Sequence, residues 1–179
     1  MRNYLRILGF KHVIVYSSTG EGGKGNYGSM VVSKFRLSNV KFGIGDAATD
    51  NDGRVIRCNL HTDIPLTFVY APCSSMKTEN DARRINFDNL LLQAMLDDKN
   101  SNGVTSAIIG DMNVTPSSGD CNIRMRGGIQ TSMEGVTFPS CRQHERTALN
   151  KLMTSLELVD AWKVLNAQSQ CNRGYTWPE

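Results

Sequence analysis

Ala107-Ile108-Ile109 is a short apolar run closed by Gly110 and followed at once by an acid and an amide, Asp111 and Asn113. Such a run, bounded by turn residues, predicts a strand covered on both faces. Gly110 lets the chain turn where a Cβ would crowd it. Asp111 and Asn113 are two apart, so in an extended chain both side chains point the same way. A carboxylate and a carboxamide converging at a strand end can hold a water or a metal against a phosphate. The same pair also suits an Asx-type turn that merely ends the strand, and from these residues alone the turn is favoured.

Periodicity supplies the neighbours of this strand. Tyr4, Leu5, Ile7 and Leu8 fit a short helix stopped by Gly9. Val13 to Tyr16 and the segment from Met30 to Val32 read as strands, separated by a glycine-rich surface loop. Asp50-Asn51-Asp52-Gly53 is a hairpin-turn signal, with a strand from Arg54 to Leu60 after it. Leu66 to Tyr70 is a further strand, ended by Pro72. Phe87, Leu90, Leu91, Ala94 and Met95 recur at helical spacing, which predicts an amphipathic helix over Asn86 to Leu96. A second helix is marked by Ala148, Leu149, Leu152, Met153 and Leu156, after a polar loop from Gly119 to Gly135. The expected class is α/β: a two-sheet sandwich of mostly antiparallel strands flanked by helices, as one domain over 1–179.

Composition narrows the function classes. The 179 residues are 40% hydrophobic, ample for one core and short for two domains. No stretch reaches the apolar length of a membrane span, and Met1 to Phe10 lacks the unbroken apolar core of a secretory signal. Cys58, Cys73, Cys121, Cys141 and Cys171 are scattered, with no close pair, which argues against a zinc site or a disulfide framework. A reducing, intracellular setting is expected. The net charge of +3 permits a polyanionic partner without demanding one.

Other segments carry potential chemistry. Tyr70 precedes the Ala71-Pro72 turn, where its phenol can donate to a phosphate oxygen, although packing is the commoner use of a strand tyrosine. Gly43-Ile44-Gly45-Asp46, with Asp50 through Ile56, forms a hairpin with a polar tip, best read as a structural turn. Trp162, after Asp160-Ala161, is expected in the core.

Taken in order, these segments resemble the exonuclease III type of apurinic/apyrimidinic endonuclease, of the endonuclease/exonuclease/phosphatase superfamily. The matching pieces are Gly28 to Lys34, the Gly43-to-Ile56 hairpin, Tyr70-Ala71-Pro72 and Gly110-Asp111-Met112-Asn113-Val114. They continue with Phe138, Glu145-Arg146, Leu158 to Trp162 and Tyr175-Thr176-Trp177. The resemblance implies metal-dependent cleavage of the DNA backbone beside an abasic site, in base excision repair. It implies that Asp111 orients or deprotonates the attacking water. Asn113 would position that aspartate, both would lie at a Mg²⁺ or Mn²⁺ ion, and Tyr70 would stabilise the charged phosphate. It also implies substrate contacts by Asn26 and Tyr27 in a DNA-facing loop, by Arg84 on a phosphate, and by Trp177 at the wall receiving a flipped-out abasic sugar. The implied partner is DNA containing abasic sites, and the implied location is intracellular, nuclear in a eukaryote.

The family begins with an asparagine-bearing strand and a glutamate that binds the metal. It ends with an aspartate strand and a Ser-Asp-His turn. His12, His61 and His144 do not sit in that turn motif. The sequence is therefore expected to hold the central portion of the domain, truncated at both ends and marginal in stability. Losing one oriented donor to a transition state typically costs about 3–4 kcal/mol, so little activity is expected of it. The alternative is a non-catalytic product that binds nucleic acid weakly. A phosphomonoester or phosphoinositide substrate fits the hairpin and the mild basicity less well.

Overall fold

Two β-rich runs flank the turn at His61, whose φ of +56° reverses the chain, and they pair in tight antiparallel register. They are the centre of the fold. The computed structural model describes residues 2–18, 28–74, 79–116, 140 and 142–166. In chain order the elements are α1 (Arg2–Ile7), β1 (His12–Ser17), β2 (Gly28–Ser33), β3 (Leu37–Phe42) and α2 (Ala47–Asp50). Then come β4 (Val55–Leu60), β5 (Ile64–Tyr70), α3 (Glu79–Asn102), β6 (Ala107–Asp111), α4 (Gln143–Leu156) and α5 (Ala161–Leu165).

The chain forms two compact units. The first comprises Met1–Pro72 and Asn89–Met112, the second Cys73–Asp88 and Asn113–Glu179. In the first unit β1 and β2 make a two-stranded antiparallel sheet, and β2 lies against β4 and β5 of a four-stranded sheet ordered β3-β4-β5-β6. The pairs β3–β4 and β4–β5 are antiparallel, and β5–β6 is parallel. A parallel pair needs a long crossover, and α3 lies in it. The expected α/β class with mostly antiparallel sheets and flanking helices is what the structure has. Its core residues in this unit include Val55, Ile56, Val69, Leu91 and Met95, all nearly inaccessible to solvent. Leu152, Leu156 and Phe87 are buried members of the second unit.

Several expectations need correction. β6 is not covered on both faces: four of its five residues are exposed, and Ile109 is 48% accessible. Among the described residues it ends the sheet order, so its apolar content reports strand pairing with β5 rather than double burial. Trp162 is not in the core but 41% exposed, on a short helix whose Val164 and Leu165 are also exposed. The β3–β4 connection is wider than a tight turn. Asp46 caps the single turn of α2 by accepting from the Thr49 N–H at 3.0 Å, and Asn51 closes it. α3 starts seven residues before Asn86. The glycine-rich segment 19–27 and the loop 119–135 lie outside the described residues. No described helix is long and apolar enough to cross a membrane.

Candidate functional site

The parallel register sets Tyr70 beside Asp111 at the C-terminal ends of β5 and β6. Both residues are exposed there. The ladder continues past them, since the Ala71 N–H donates to the Asp111 carbonyl at 2.9 Å. Close approach of the two strands depends on Gly110, whose φ is +145°. Any Cβ there would collide with the Val69 carbonyl. The glycine expected for a turn thus serves to bring the Asp111 strand end against its neighbour.

Arg54 fastens the other side of Tyr70. The Tyr70 N–H donates to the Arg54 carbonyl at 2.9 Å, and the Arg54 Nη1 donates to the Tyr70 carbonyl at 3.2 Å. The guanidinium also lies over the Tyr70 ring, 5.1 Å from its centroid. It is held there by Asp52, whose carboxylate accepts from Arg54 Nε at 2.9 Å. Arg54 is 8% exposed, so this cation is paired out of bulk water. Its role was missed in the sequence, although Asp52-Gly53-Arg54 places an acid and a base two apart at a turn.

The Gly43-to-Asp46 segment is structural, as its pattern suggested. The Asp50 carboxylate accepts from the N–H groups of Ile44 at 2.7 Å and Gly45 at 2.9 Å. The Tyr16 hydroxyl donates to the Asp50 carbonyl at 2.6 Å. Burial and the Asp50 charge raise the Tyr16 pKa above its ordinary value. Elsewhere in the first unit, an open cavity of about 290 Å³ lies toward the N-terminal end of β5. Its wall includes Lys41 and Arg57, which both pair with Asp98, at 3.1 and 2.7 Å.

Asn113 and Arg84 belong to the second unit. The chain is not extended at Asn113, whose φ is +45°, so the premise that it points with Asp111 along one strand does not hold. The Asn113 carbonyl accepts from Arg84 Nη1 at 2.9 Å. Arg84 is 1% exposed rather than solvated on a helix face. Its Nε donates to the Asp88 carboxylate at 2.8 Å, and its Nη1 lies 4.0 Å from Glu145. Glu145, fully buried, accepts from the Ser74 hydroxyl and from the Arg142 N–H. Arg142 pairs with Asp81. Burial raises the Asp88 pKa, with Glu145 adding to the effect and Arg84 and His144 opposing it. Arg84 is thus placed where it closes an interior ion cluster.

Asn26, Tyr27 and Trp177 lie outside the described residues. The structure therefore brings Tyr70 to Asp111, and Asn113 to Arg84. Among the described residues no three His, Cys, Asp or Glu side chains gather into a metal-ligand group. Asp111 offers a carboxylate, but Mg²⁺ takes six oxygen ligands in near-octahedral array. The described residues do not complete a donor set for it.

No family model matches the sequence, and no curated protein matches it. Solved structures do. A 3′-5′ exonuclease, NExo, from Neisseria meningitidis superposes with a TM-score of 0.61 at 21% identity, over 84% of this chain and 53% of that one. A variant of the Neisseria 3′ phosphatase NExo, bound to a product DNA hairpin, gives 0.57 at 18% identity, over 85% and 53%. The chain shares the fold of these nucleases and spans about half of their length.

Proposed function

We propose that this chain carries part of a metal-dependent phosphodiesterase site acting on DNA, of the abasic-site endonuclease type. One observation carries the proposal: Tyr70 stands beside Asp111 at the ends of a parallel strand pair, in a fold shared with a DNA-processing exonuclease and 3′ phosphatase. A carboxylate at an open strand end suits a water that must be oriented and deprotonated. A phenol on the residue paired with it suits a donor to the phosphate oxygen on which charge develops. Neighbours that process DNA 3′ ends and bind a DNA hairpin support DNA as the substrate class. The abasic-site preference rests on the ordered sequence motifs, as do the roles of Asn113, Asn26, Tyr27 and Trp177. Mg²⁺ or Mn²⁺ belongs to the same proposal, and so does an intracellular place of action.

The test uses two duplexes, one with a single internal abasic site and one with a 3′-phosphate end. Each is incubated with the protein in Mg²⁺ and in EDTA. Metal-dependent incision of the first duplex is expected only at the low rate that a partial site allows, with Asp111→Ala abolishing what remains. Release of phosphate from the second duplex alone would move the assignment to 3′-end processing. Retention on DNA with no cutting in either metal state would overturn the hydrolase in favour of a binding protein. Equal cutting by Asp111→Ala would remove the role given to that carboxylate.

A further inference from the structure

We infer that Arg54 is a positioning residue for Tyr70, and that the Asp52–Arg54 pair fixes the phenol's place at the strand end; its functional arm rests on the reading of Tyr70 proposed above. Strand ends fray, and an exposed tyrosine on one has free rotamers to lose before it can meet a substrate. Tyr70 is the last residue of β5 and is 39% exposed. The ladder to β6 holds its backbone, but an oriented donor also needs its ring held.

Three contacts with one residue remove that freedom. The Arg54 carbonyl accepts from the Tyr70 N–H, its Nη1 donates to the Tyr70 carbonyl, and its guanidinium covers one face of the ring. The first two hold the backbone one step beyond the Val55–Val69 ladder pair. The third bears on the ring itself, because a guanidinium over an aromatic face is attracted to its quadrupole, and more so when shielded from water. Arginine suits the task since its planar fork can donate and stack at once, which an ammonium cannot. Asp52 orients the fork through Nε, leaving Nη1 aimed at the carbonyl.

The turn before Arg54 is built for this approach. Gly53 has φ +66°, and a Cβ on it would lie 2.5 Å from the Tyr16 carbonyl oxygen. The chain therefore passes tightly against the end of β1 immediately before Arg54. None of these contacts is needed to explain burial of apolar surface, for the ring remains partly open.

The first readout is independent of turnover. The protein is labelled with 3-fluorotyrosine at its five tyrosines, and the ¹⁹F resonance of Tyr70 is assigned by its loss in Tyr70→Phe. In Arg54→Met, which keeps the buried stem, that resonance should move toward the free-amino-acid position and sharpen, while the Tyr16 resonance stays. Arg54→Lys should fall between the two. Asp52→Asn, which leaves the arginine in place but unoriented, should shift the line in the same direction by less, and it serves if Arg54→Met does not fold. An unmoved Tyr70 line in folded Arg54→Met or in Asp52→Asn overturns the inference.

The second readout is cleavage. Arg54→Met should lower kcat about 10- to 100-fold with KM within about twofold, as expected when a reacting group is misplaced rather than removed. Combined with Tyr70→Phe it should add little. If Tyr70→Phe cuts normally while the fluorine line still answers to Arg54, the positioning stands and the catalytic reading of Tyr70 falls. If Tyr70→Phe is impaired but Arg54→Met neither moves the line nor slows the reaction, the positioning falls alone.

Discussion

A Cβ placed on Gly110 would lie 1.9 Å from the Val69 carbonyl oxygen, so the strand carrying Asp111 can approach β5 only with glycine at that point. The contact is with backbone, which has no side chain to swing aside. Gly110→Ala should therefore part β6 from β5 at its end and cost about 2–4 kcal/mol, between the usual strain of a forbidden φ/ψ and the range of large single-site losses. Chemical denaturation would measure the loss. Hydrogen exchange at the Ala71 N–H, bonded to the Asp111 carbonyl at 2.9 Å, should accelerate. A stable Gly110→Ala with slow exchange there would show that the approach is not tight.

Asp50 holds the entry to β4 in the same deterministic way. Its carboxylate accepts two N–H groups, from Ile44 and Gly45, in a turn where Ile44 is only 7% exposed. Hydrogen bonds to a charged acceptor contribute about 1.5–3 kcal/mol each, less whatever water restores when the acceptor is removed. Asp50→Ala should cost about 2–4 kcal/mol overall, and Asp50→Asn, which keeps one acceptor oxygen, should cost less. Urea unfolding of the two variants checks the order. Equal losses would mean that the backbone of the turn, rather than the carboxylate, sets its shape.

How far the sequence foretells these features depends on which force fixes them. Phe87, Leu91, Ala94 and Met95 are buried by a helix-spaced apolar pattern, so the middle of α3 was readable. Its first turns were not, because the buried residue there is Arg84, a charged side chain that periodicity assigns to solvent. β3 is not marked by the sequence pattern because Leu37–Phe42 is half polar, mostly exposed and broken by a bulge between Ser38 and Lys41. Its pairing comes from β4, not from its own composition. The apolar run into Asp111 did mark a strand, yet β6 is exposed, since apolar content alone does not tell a paired edge from a covered centre. Trp162 departs from the expected burial because residue type is a statement about averages, and a short helix can leave an indole outside. At the site, adjacency of Tyr70 and Asp111 follows from strand order, which local spacing does not contain. The stacking of Arg54 on Tyr70 is a long-range contact and was likewise invisible.

Glu145 is wholly buried and answers to the Ser74 hydroxyl, the Arg142 N–H and the nearby Arg84 guanidinium. Replacing one partner of a buried charge cluster leaves the others uncompensated, a loss of about 3–5 kcal/mol. Glu145→Ala should lose that much and loosen the start of α4, where the carboxylate reaches back to the Arg142 N–H. Glu145→Gln keeps an acceptor for that N–H and should lose less. Thermal unfolding followed by helical circular dichroism would show both. A Glu145→Ala protein as stable as the parent would mean that the cluster is neutral to folding.

Asp88 gives the second unit a pH dependence of opposite sign to that of an ordinary paired carboxylate. Burial raises its folded-state pKa, an effect that Arg84 opposes and Glu145 reinforces. The folded protein then takes up a proton at a pH where the unfolded chain has already lost it. By linkage, the stabilising contribution is complete below the ordinary aspartate value of 3.8 and is lost as pH rises through the raised folded value. Asp88→Asn cannot titrate and should lack this fall. The difference in unfolding free energy between parent and Asp88→Asn should therefore shift against the parent across that window and level off above it. Stability curves of the two proteins at matched ionic strength, from pH 3.5 upward, would measure it. A difference that shifts in favour of the parent as pH rises would show that the Arg84 ion pair, not burial, dominates the site, and would reverse the assigned sign.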